Sequence, residues 1–435
     1  MQERTRGEDS ISNILSRVLR CIENYHKEAD RIFKSAWNEP YTQIVYKELD
    51  TFVCGSFEAK VAKFCSSLLC REDRNASSAE IEDSLKLFYL LKDFHRSITS
   101  ALPPTREELR IDRLQDWFGF EVVLLWLKEA KGPVSGWISD LVTHDNMTPV
   151  ARDVKYGSAI RDTIDILHSR YLRLWQKLEL RNFHCAMAFT TAVAEDSSHF
   201  VRALSRRVES AGYFDVVGEF EVSTQLCVAI SSLGRIASFL QETITEVEHT
   251  CSSDDDVAHR TSEITFPLEK ALDASLISMS RICSEAVDKL KPELRKKLSC
   301  VSDASSLHLQ DRALYELVRY VDACIGLLHE HLDDIAFRKM LRLLWKSTIT
   351  SIKEEASLVQ ENYLYRFTTA PLSFKGLHKA LFQLKDVFHA GGAGLSTAEI
   401  DIPVYTELDR QLDRTVRALE EHDISSPKDA VAVTV

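Results

Sequence analysis

The side chains best suited to binding a metal ion fall into two short clusters. His329 and His331 flank Glu330, but residues two apart on a helix point to different faces, which favours a solvated helix end. The run Asp254–Asp256 offers clustered oxygens, the ligands that calcium takes. The glycine and the terminal glutamate of an EF-hand loop do not follow at the required offsets, so a solvated acidic loop is the better interpretation. We therefore predict no metal site.

The common catalytic motifs are missing from the sequence. It contains no G-x-x-x-x-G-K-[ST], G-x-G-x-x-G, G-x-S-x-G or H-E-x-x-H, the patterns that place phosphate-binding loops, nucleophiles or zinc ligands. The 10 cysteines form no C-x-x-C pair, and most lie in helical patterns, where a free cysteine acts as a small apolar residue. We predict reduced structural thiols, no catalytic residue and no cofactor.

A cationic stripe and an aromatic cluster are the more informative features. Arg338, Arg342 and Lys346 recur every four residues, on one face of a predicted helix, and Lys339 widens that face. This stripe suits acidic lipid headgroups or an acidic partner helix. A run of charges is more often a solvated helix face, and the sequence leaves both interpretations open.

Five aromatic residues crowd into some twenty positions of the first third of the chain. Stripes of aromatic residues at helical spacing usually belong to a core. An exposed subset would instead form a groove for a partner helix, because aromatic anchors carry much of the binding energy. The set is Trp117, Phe118, Phe120, Trp126 and Trp137.

Composition indicates that long helices position these side chains. The chain has 435 residues, of which 45% are hydrophobic and 28% charged, as in an ordinary soluble protein. Its 14 glycines and 10 prolines are about half the usual share, which disfavours hairpins and glycine-rich loops. Apolar residues recur at helical spacing, as from Ile160 to Leu178. A capping box at Ser77 and Glu80 marks one helix start. The sequence predicts an all-α fold without a fixed repeat.

The charge and hydropathy of the chain exclude several classes of partner. A formal charge of −12 argues against general nucleic-acid binding, which needs a basic surface. No apolar run approaches the roughly 18–20 residues that cross a bilayer, and the polar N-terminus does not resemble a signal peptide. We expect a cytoplasmic protein or one that lies on a membrane surface.

Three stretches of the sequence resemble the MUN domain of the uncoordinated-thirteen (Munc-thirteen) family. Phe120–Leu127, which contains Trp126, is followed by the amphipathic stretch Val154–Leu167, and the pair is similar to the first Munc-homology region. Ala336–Lys346, which contains Trp345, is similar to a helix of the second region. The third stretch, Leu384–Leu395, contains the run F-H-A-G-G-x-G-L, which closes the second region in this family. The motif residues of this run are Phe388, His389, Gly391, Gly392 and Gly394.

The resemblance implies an elongated rod of stacked helical bundles, similar to subunits of vesicle-tethering complexes. It divides the chain into homology regions and connecting parts. These are an N-terminal helical part at 1–79, the first Munc-homology region at 80–210, a connecting helical bundle at 211–306, the second Munc-homology region at 307–422 and a disordered tail at 423–435.

The resemblance also implies a function in regulated exocytosis. Members of the family prime secretory vesicles by promoting syntaxin opening and SNARE complex assembly, together with the SM-type chaperone of syntaxin. A vesicle small GTPase and an acidic membrane are further expected partners, at a peripheral location on the secretory vesicle or plasma membrane. Trp117, Phe118 and Phe120 are the expected exposed pocket for syntaxin. The alternative is a passive tethering or scaffold subunit that clusters vesicles without SNARE-assembly activity.

Overall fold

The computed structural model is predominantly helical in the part of the chain that it describes. That part comprises residues 28–36, 41–69, 77–101, 109–179, 182–215, 219–251, 258–362 and 370–425, with positions 17, 20 and 21. Within these ranges no strand is present, and the β-type pairing is a single bridge between Ala151 and Val154. The all-α prediction is confirmed. The acidic run Asp254–Asp256 and positions 426–435 of the predicted tail lie outside the described residues.

The helices are long, as the low glycine and proline content predicts, and the capping box of Ser77 and Glu80 is present in the structure. The first eight labelled helices are α1 Tyr41–Leu49, α2 Gly55–Leu69, α3 Ser78–Ala101, α4 Leu114–Lys131, α5 Val134–His144, α6 Ser158–Leu167, α7 Arg173–Leu178 and α8 Phe183–Ser210. They are followed by α9 Thr224–Cys251, α10 Thr261–Ser302, α11 Leu307–His331, α12 Asp334–Glu361, α13 Ala370–His389, α14 Thr397–Ile400 and α15 Pro403–Ser425.

Helix α15 corrects the predicted start of the disordered tail. The helix continues to Ser425, so residues 423–425 are helical. The physical reason lies in the sequence, because neither glycine nor proline interrupts the helix between Pro403 and Ser425.

The chain forms two compact units, each assembled from segments that are discontinuous in sequence. One unit contains residues 1–136, 166–196 and 245–267, and the other contains 137–165, 197–244 and 268–435. The linear boundaries predicted above describe homology regions and not packing units, so they stay a prediction.

In the first unit, α4 packs against α2 and α3. A buried carboxylate, Asp50, joins this helix group to the short 3₁₀ turn that precedes α4. Its two oxygens accept the backbone N–H groups of Arg110 and Ile111 at 2.9 and 3.0 Å. The carboxylate thus satisfies donors at the start of the turn that would otherwise be left unpaired in a buried setting.

In the second unit, α13 packs against α11, α12 and α15. The direction of α12 is opposite to that of its neighbours, as contacts at its two ends show. The ring of His329 near the end of α11 lies 5.1 Å from that of Phe337 near the start of α12. At the other end, Ser302 donates to Glu355 of α12 and its carbonyl accepts from Ser373 at the start of α13. Helices α11 and α13 therefore run parallel, and α12 runs antiparallel to both.

A buried aspartate also organises the loop before α6 in the second unit. The Asp145 carboxylate accepts from the backbone N–H groups of Met147 and Ala159 at 2.9 and 3.0 Å, which ties the loop to the first turn of the helix. A Cβ atom on Gly157 would lie 2.6 Å from an Asp145 oxygen, so this loop requires glycine there. These contacts shape the Val154–Leu167 stretch of the first homology region.

Helix α12 begins with a carboxylate in an unfavourable environment. Asp333 is the N-cap, and its side chain accepts from the N–H of Ala336 at 2.8 Å. Burial raises the pKa of this carboxyl to about 6, and the charge of neighbouring Asp334 adds to the shift. A Cβ atom on Gly234 would lie 2.5 Å from the Asp333 carboxylate, which shows how closely the carboxylate packs on α9.

We expect Asp333→Asn to stabilise the protein at pH 7 and to have little effect at pH 4. Because the folded-state pKa is raised, the folded protein binds more protons between pH ~4 and ~6 than the unfolded chain, so wild-type stability falls as pH rises through that range, by about 2–3 kcal/mol. Asparagine keeps the N-cap acceptor without the charge. Urea unfolding at both pH values measures the effect. The control is Asp322→Asn on α11, because Asp322 is exposed and does not contribute to the pKa shift of Asp333. An equal gain at both pH values would contradict the assignment.

Candidate functional site

The glycine-rich motif forms a closed turn at the end of α13. Phe388 is fully buried, and its carbonyl accepts the N–H of Leu395 at 2.9 Å. The N–H of Gly394 donates to the carbonyl of His389 at 3.1 Å, while the His389 ring nitrogen Nδ1 lies 2.9 Å from the Leu395 carbonyl. These contacts satisfy polar groups at the helix end and return the chain across it.

Three positions of this turn require glycine for two different reasons. Gly391 and Gly392 have φ angles of +63° and +98°, in the region that glycine adopts without a Cβ penalty. At Gly394 the reason is space, since an added Cβ would penetrate the Phe388 carbonyl oxygen and lie 3.1 Å from its carbon. The spacing of the glycines thus encodes the turn.

The second and third motifs pack against each other. The buried Trp345 ring of α12 lies 4.9 Å from the Phe388 ring and 5.7 Å from the Tyr405 ring of α15. Its indole Nε1–H donates to the carbonyl of Ile400 at 3.1 Å. This tryptophan therefore fills the space that the turn encloses, with its one polar atom satisfied. We find no catalytic arrangement around it.

A short capping box follows the turn and reaches the cationic stripe. The Glu399 carboxylate accepts from the N–H and hydroxyl of Ser396 at 2.9 and 2.8 Å and from Arg342 Nε at 2.6 Å. The hydrogen bonds from Ser396, with that from Arg342, lower the pKa of Glu399 to about 2. One cation of the stripe is thus held by the protein itself.

The other members of the stripe differ in their surroundings. Arg338 and Lys346 are exposed, and within the described residues neither forms an ion pair. Lys339 is half-buried. The sequence interpretation missed Lys353, which is exposed and lies two helical turns after Lys346 on the same face. The periodicity alone would have found it.

The aromatic cluster of the first unit is largely a core. The rings of Phe88, Phe118 and Trp126 lie 5.2–5.6 Å apart, and Trp126 Nε1 donates to the hydroxyl of the buried Ser84 at 2.7 Å. Trp117 is also buried. The prediction that Trp117 and Phe118 line an exposed pocket is therefore wrong, because both rings supply the apolar contacts that join α4 to its neighbours.

Phe120 differs from the two aromatic residues that precede it. Gly119 has a φ angle of +73° and interrupts the helical backbone of α4, so the side chains on either side of it do not share one helical face. The Phe120 ring is half-buried and lies 5.6 Å from the ring of His184. It is not part of the Phe88–Phe118–Trp126 group.

Two aromatic residues that the sequence interpretation missed are exposed in the second unit. Tyr315 of α11 is 65% exposed and Phe382 of α13 is 62% exposed. Both lie off the apolar stripe of an otherwise amphipathic helix. That position is the signal by which the sequence could have identified them.

The described part of the chain contains neither a metal-binding cluster nor a membrane-spanning helix, and two of its buried thiols are held in the protonated form. No group of three or more histidine, cysteine or acidic residues there could hold a metal ion. Burial raises the pKa of Cys227 and Cys283 to about 12, which suppresses the reactive thiolate form. No described helix combines the length and the apolar character needed to cross a membrane.

The geometry defines an all-α protein whose recognisable motifs are packing elements. Comparison with curated proteins identifies relatives over most of the chain. Protein unc-13 homolog 4B of Drosophila melanogaster is 23% identical over 424 residues, covering 90% of this chain and 34% of that protein. Protein unc-13 homolog D of Rattus norvegicus is 19% identical, covering 87% of this chain and 34% of that protein.

A third relative is BAI1-associated protein 3 of Mus musculus, 23% identical over 67% of this chain and 25% of that protein. The resemblance to the MUN domain is thereby confirmed, and the chain is similar to unc-13 proteins along most of its length. It spans about a third of the length of the unc-13 relatives.

Family models and solved structures add no further relative. No family model matches the chain. A solved chain described as "Computational Design of Self-Assembling Cyclic Protein Homooligomers" is 12% identical, covers 69% of this chain and 99% of its own, and has a TM-score of 0.22. A score this low carries no argument about the fold.

We expect Gly394→Ala to destabilise the second unit by roughly 2–4 kcal/mol, because the added methyl group and the Phe388 carbonyl cannot both keep their positions. The control is Gly326→Ala in α11, where a Cβ would meet nothing within 4 Å. That change should be neutral or stabilising by up to about 1 kcal/mol. Urea midpoints measure both, and comparable midpoints for the two variants would refute the close backbone approach.

Proposed function

We propose that this protein acts in vesicle priming for regulated exocytosis, by promoting syntaxin opening and SNARE complex assembly through protein–protein contacts. The observation that carries the proposal is the similarity to unc-13 proteins over 87–90% of the chain. The closed turn at Phe388–Leu395 also supports the proposal, because its sequence matches the motif that closes the second Munc-homology region. The expected location is cytoplasmic, peripheral at the vesicle or plasma membrane.

The proposed mechanism is templating without covalent chemistry. A helical surface that binds the open form of syntaxin more tightly than the closed, SM-bound form shifts the population toward the open form. The barrier to SNARE assembly falls only by the difference between the two affinities. The mechanism therefore requires an exposed surface with side chains able to anchor a helix.

The side of the second unit that carries Tyr315 and Phe382 is such a surface. Asp311 of α11 and Lys379 of α13 form an ion pair at 2.7 Å across the two parallel helices. Tyr315 follows Asp311 by one helical turn, and Phe382 follows Lys379 by about one turn. Both rings consequently lie on the side of the helix pair that this ion pair marks.

Exposed aromatic residues are suitable anchors for a partner helix. Tyrosine is enriched among the few residues that dominate binding energy, and such residues cost more than about 1 kcal/mol when truncated. Tyr315 and Phe382 thereby replace Trp117 and Phe118 as the proposed contacts for syntaxin, because the latter two are buried.

A reconstituted fusion assay tests the function against the scaffold alternative. Liposomes carrying SM-bound syntaxin are mixed with vesicles carrying the partner SNAREs, with and without the protein. A priming factor speeds SNARE assembly and lipid mixing. Vesicle clustering with unchanged SNARE assembly would show a passive tether and would exclude the proposed activity.

We expect the double variant Tyr315→Ala/Phe382→Ala to bind SM-bound syntaxin at least tenfold more weakly, since two anchors are lost. Phe266→Ala is the matched control, because this phenylalanine of α10 is 61% exposed and lies in the other unit. Titration calorimetry measures the affinities, and circular dichroism checks that helicity is unchanged. Equal affinities for the double variant and the control would show that the anchors lie elsewhere.

A further inference from the structure

Helix α12 has an unusual distribution of charge along its outer face. Between positions 335 and 353 the sequence contains five cations and no acidic residue, although the chain as a whole has a formal charge of −12. The structure shows where these cations point. From position 336 to position 353 the exposed residues are four, and all are cations: Arg338, Arg342, Lys346 and Lys353.

These four side chains form one continuous row. Arg338, Arg342 and Lys346 are spaced by four residues, and Lys353 follows seven residues later, so all lie within one face of the helix. With a rise of about 1.5 Å per residue, the row from Arg338 to Lys353 is about 22 Å long. We call this row the α12 cationic row.

The acidic residues near the row pair with α10, pair with Arg342 alone or lie at the ends of α12. Glu354 is paired with Lys291 and Arg295 of α10. Glu399 is paired with Arg342, and its low pKa keeps it charged. The exposed acids of α12 itself, Asp334 and Glu361, stand at its first and last residues. Arg338, Lys346 and Lys353 form no ion pair within the described residues.

The row also lacks the apolar anchors that a partner helix needs. The two large apolar side chains that α12 exposes are Ile335 and Leu358, and both lie beyond the ends of the row. A protein partner derives most of its affinity from buried aromatic or aliphatic anchors, whereas an anionic membrane attracts cations by surface potential alone. The chemistry of the row therefore favours the membrane.

We propose that the α12 cationic row docks this protein on the surface of an anionic phospholipid bilayer. Clustered Lys and Arg side chains on a helix face attract acidic phospholipids, and each cation near the surface strengthens binding by about fivefold. Three members of the row, Arg338, Lys346 and Lys353, form no ion pair within the described residues and supply this attraction, whereas Arg342 is paired with Glu399. The cations of the row lie on one face of a single helix, so they can approach the lipid headgroups together. The attraction is screened by salt over about 8 Å at physiological ionic strength.

Vesicle cosedimentation with the full chain tests the proposal. The wild-type protein should bind phosphatidylserine-containing vesicles and not phosphatidylcholine vesicles, with affinity that falls steeply as salt rises. The triple variant Arg338→Glu/Lys346→Glu/Lys353→Glu should bind about 100-fold more weakly, because three favourable contacts are lost. Arg342 is left unchanged, since it is paired with Glu399.

The matched control is the triple variant Lys289→Glu/Arg312→Glu/Arg414→Glu, which makes the same change in net charge at exposed cations of the second unit. It should bind anionic vesicles within about twofold to threefold of wild type, because its charges are not in one row. If both triple variants bound anionic vesicles equally weakly, the loss of binding would be caused by net charge and not by the row, and the proposal would be overturned. Binding of wild type to neutral vesicles with the same affinity would also overturn it.

Failure of the membrane proposal can be distinguished from failure of the proposed priming function. If the row variant binds anionic vesicles like wild type but loses affinity for SNARE proteins, the row is a protein-binding surface and the membrane proposal fails. The row variant should still accelerate assembly of soluble SNARE fragments in the absence of vesicles. Failure of wild type in that soluble assay contradicts the priming function without affecting lipid binding.

Discussion

One close backbone approach organises the end of α13. Because Gly394 has no side chain, its backbone can lie against the Phe388 carbonyl, and Leu395 can donate to that same carbonyl. The chain then returns across the helix end and presents the Ile400 carbonyl to Trp345. The packing of α12, α13 and α15 around this tryptophan depends on that return. The family motif is thus a structural device that holds three helices together.

The same turn connects packing with electrostatics. The residues after it place Glu399 against Arg342, so the turn also determines which cation of α12 is neutralised. The remaining exposed cations of α12, Arg338, Lys346 and Lys353, form no ion pair within the described residues. An acidic protein that keeps such a row has a surface suited to negatively charged membranes, while its exposed aromatic residues on α11 and α13 suit a helical protein partner. The two proposed surfaces differ in chemistry and can be tested separately.

Much of the fold could be predicted because helical periodicity is a local property. Apolar spacing, a capping box at Ser77 and the scarcity of glycine and proline indicated long helices, and the structure confirms them. The glycine motif at the end of α13 was also legible, since a positive φ and a close approach both demand glycine. Local periodicity could not predict whether the expected syntaxin pocket is exposed. Trp117, Phe118 and Phe120 are neighbours in sequence, but burial depends on which helices pack over them.

The sequence by itself determined the fold class, the absence of common catalytic motifs and the resemblance to the MUN domain, because these depend on residue type and spacing within single helices. Only the tertiary structure decided which side chains are available to a partner. It buried Trp117 and Phe118 and exposed Tyr315 and Phe382. It also paired Arg342 with Glu399, whereas Lys353 has no ion pair within the described residues. The physical reason is that exposure and ion pairing depend on contacts between residues far apart in sequence, which no local pattern records.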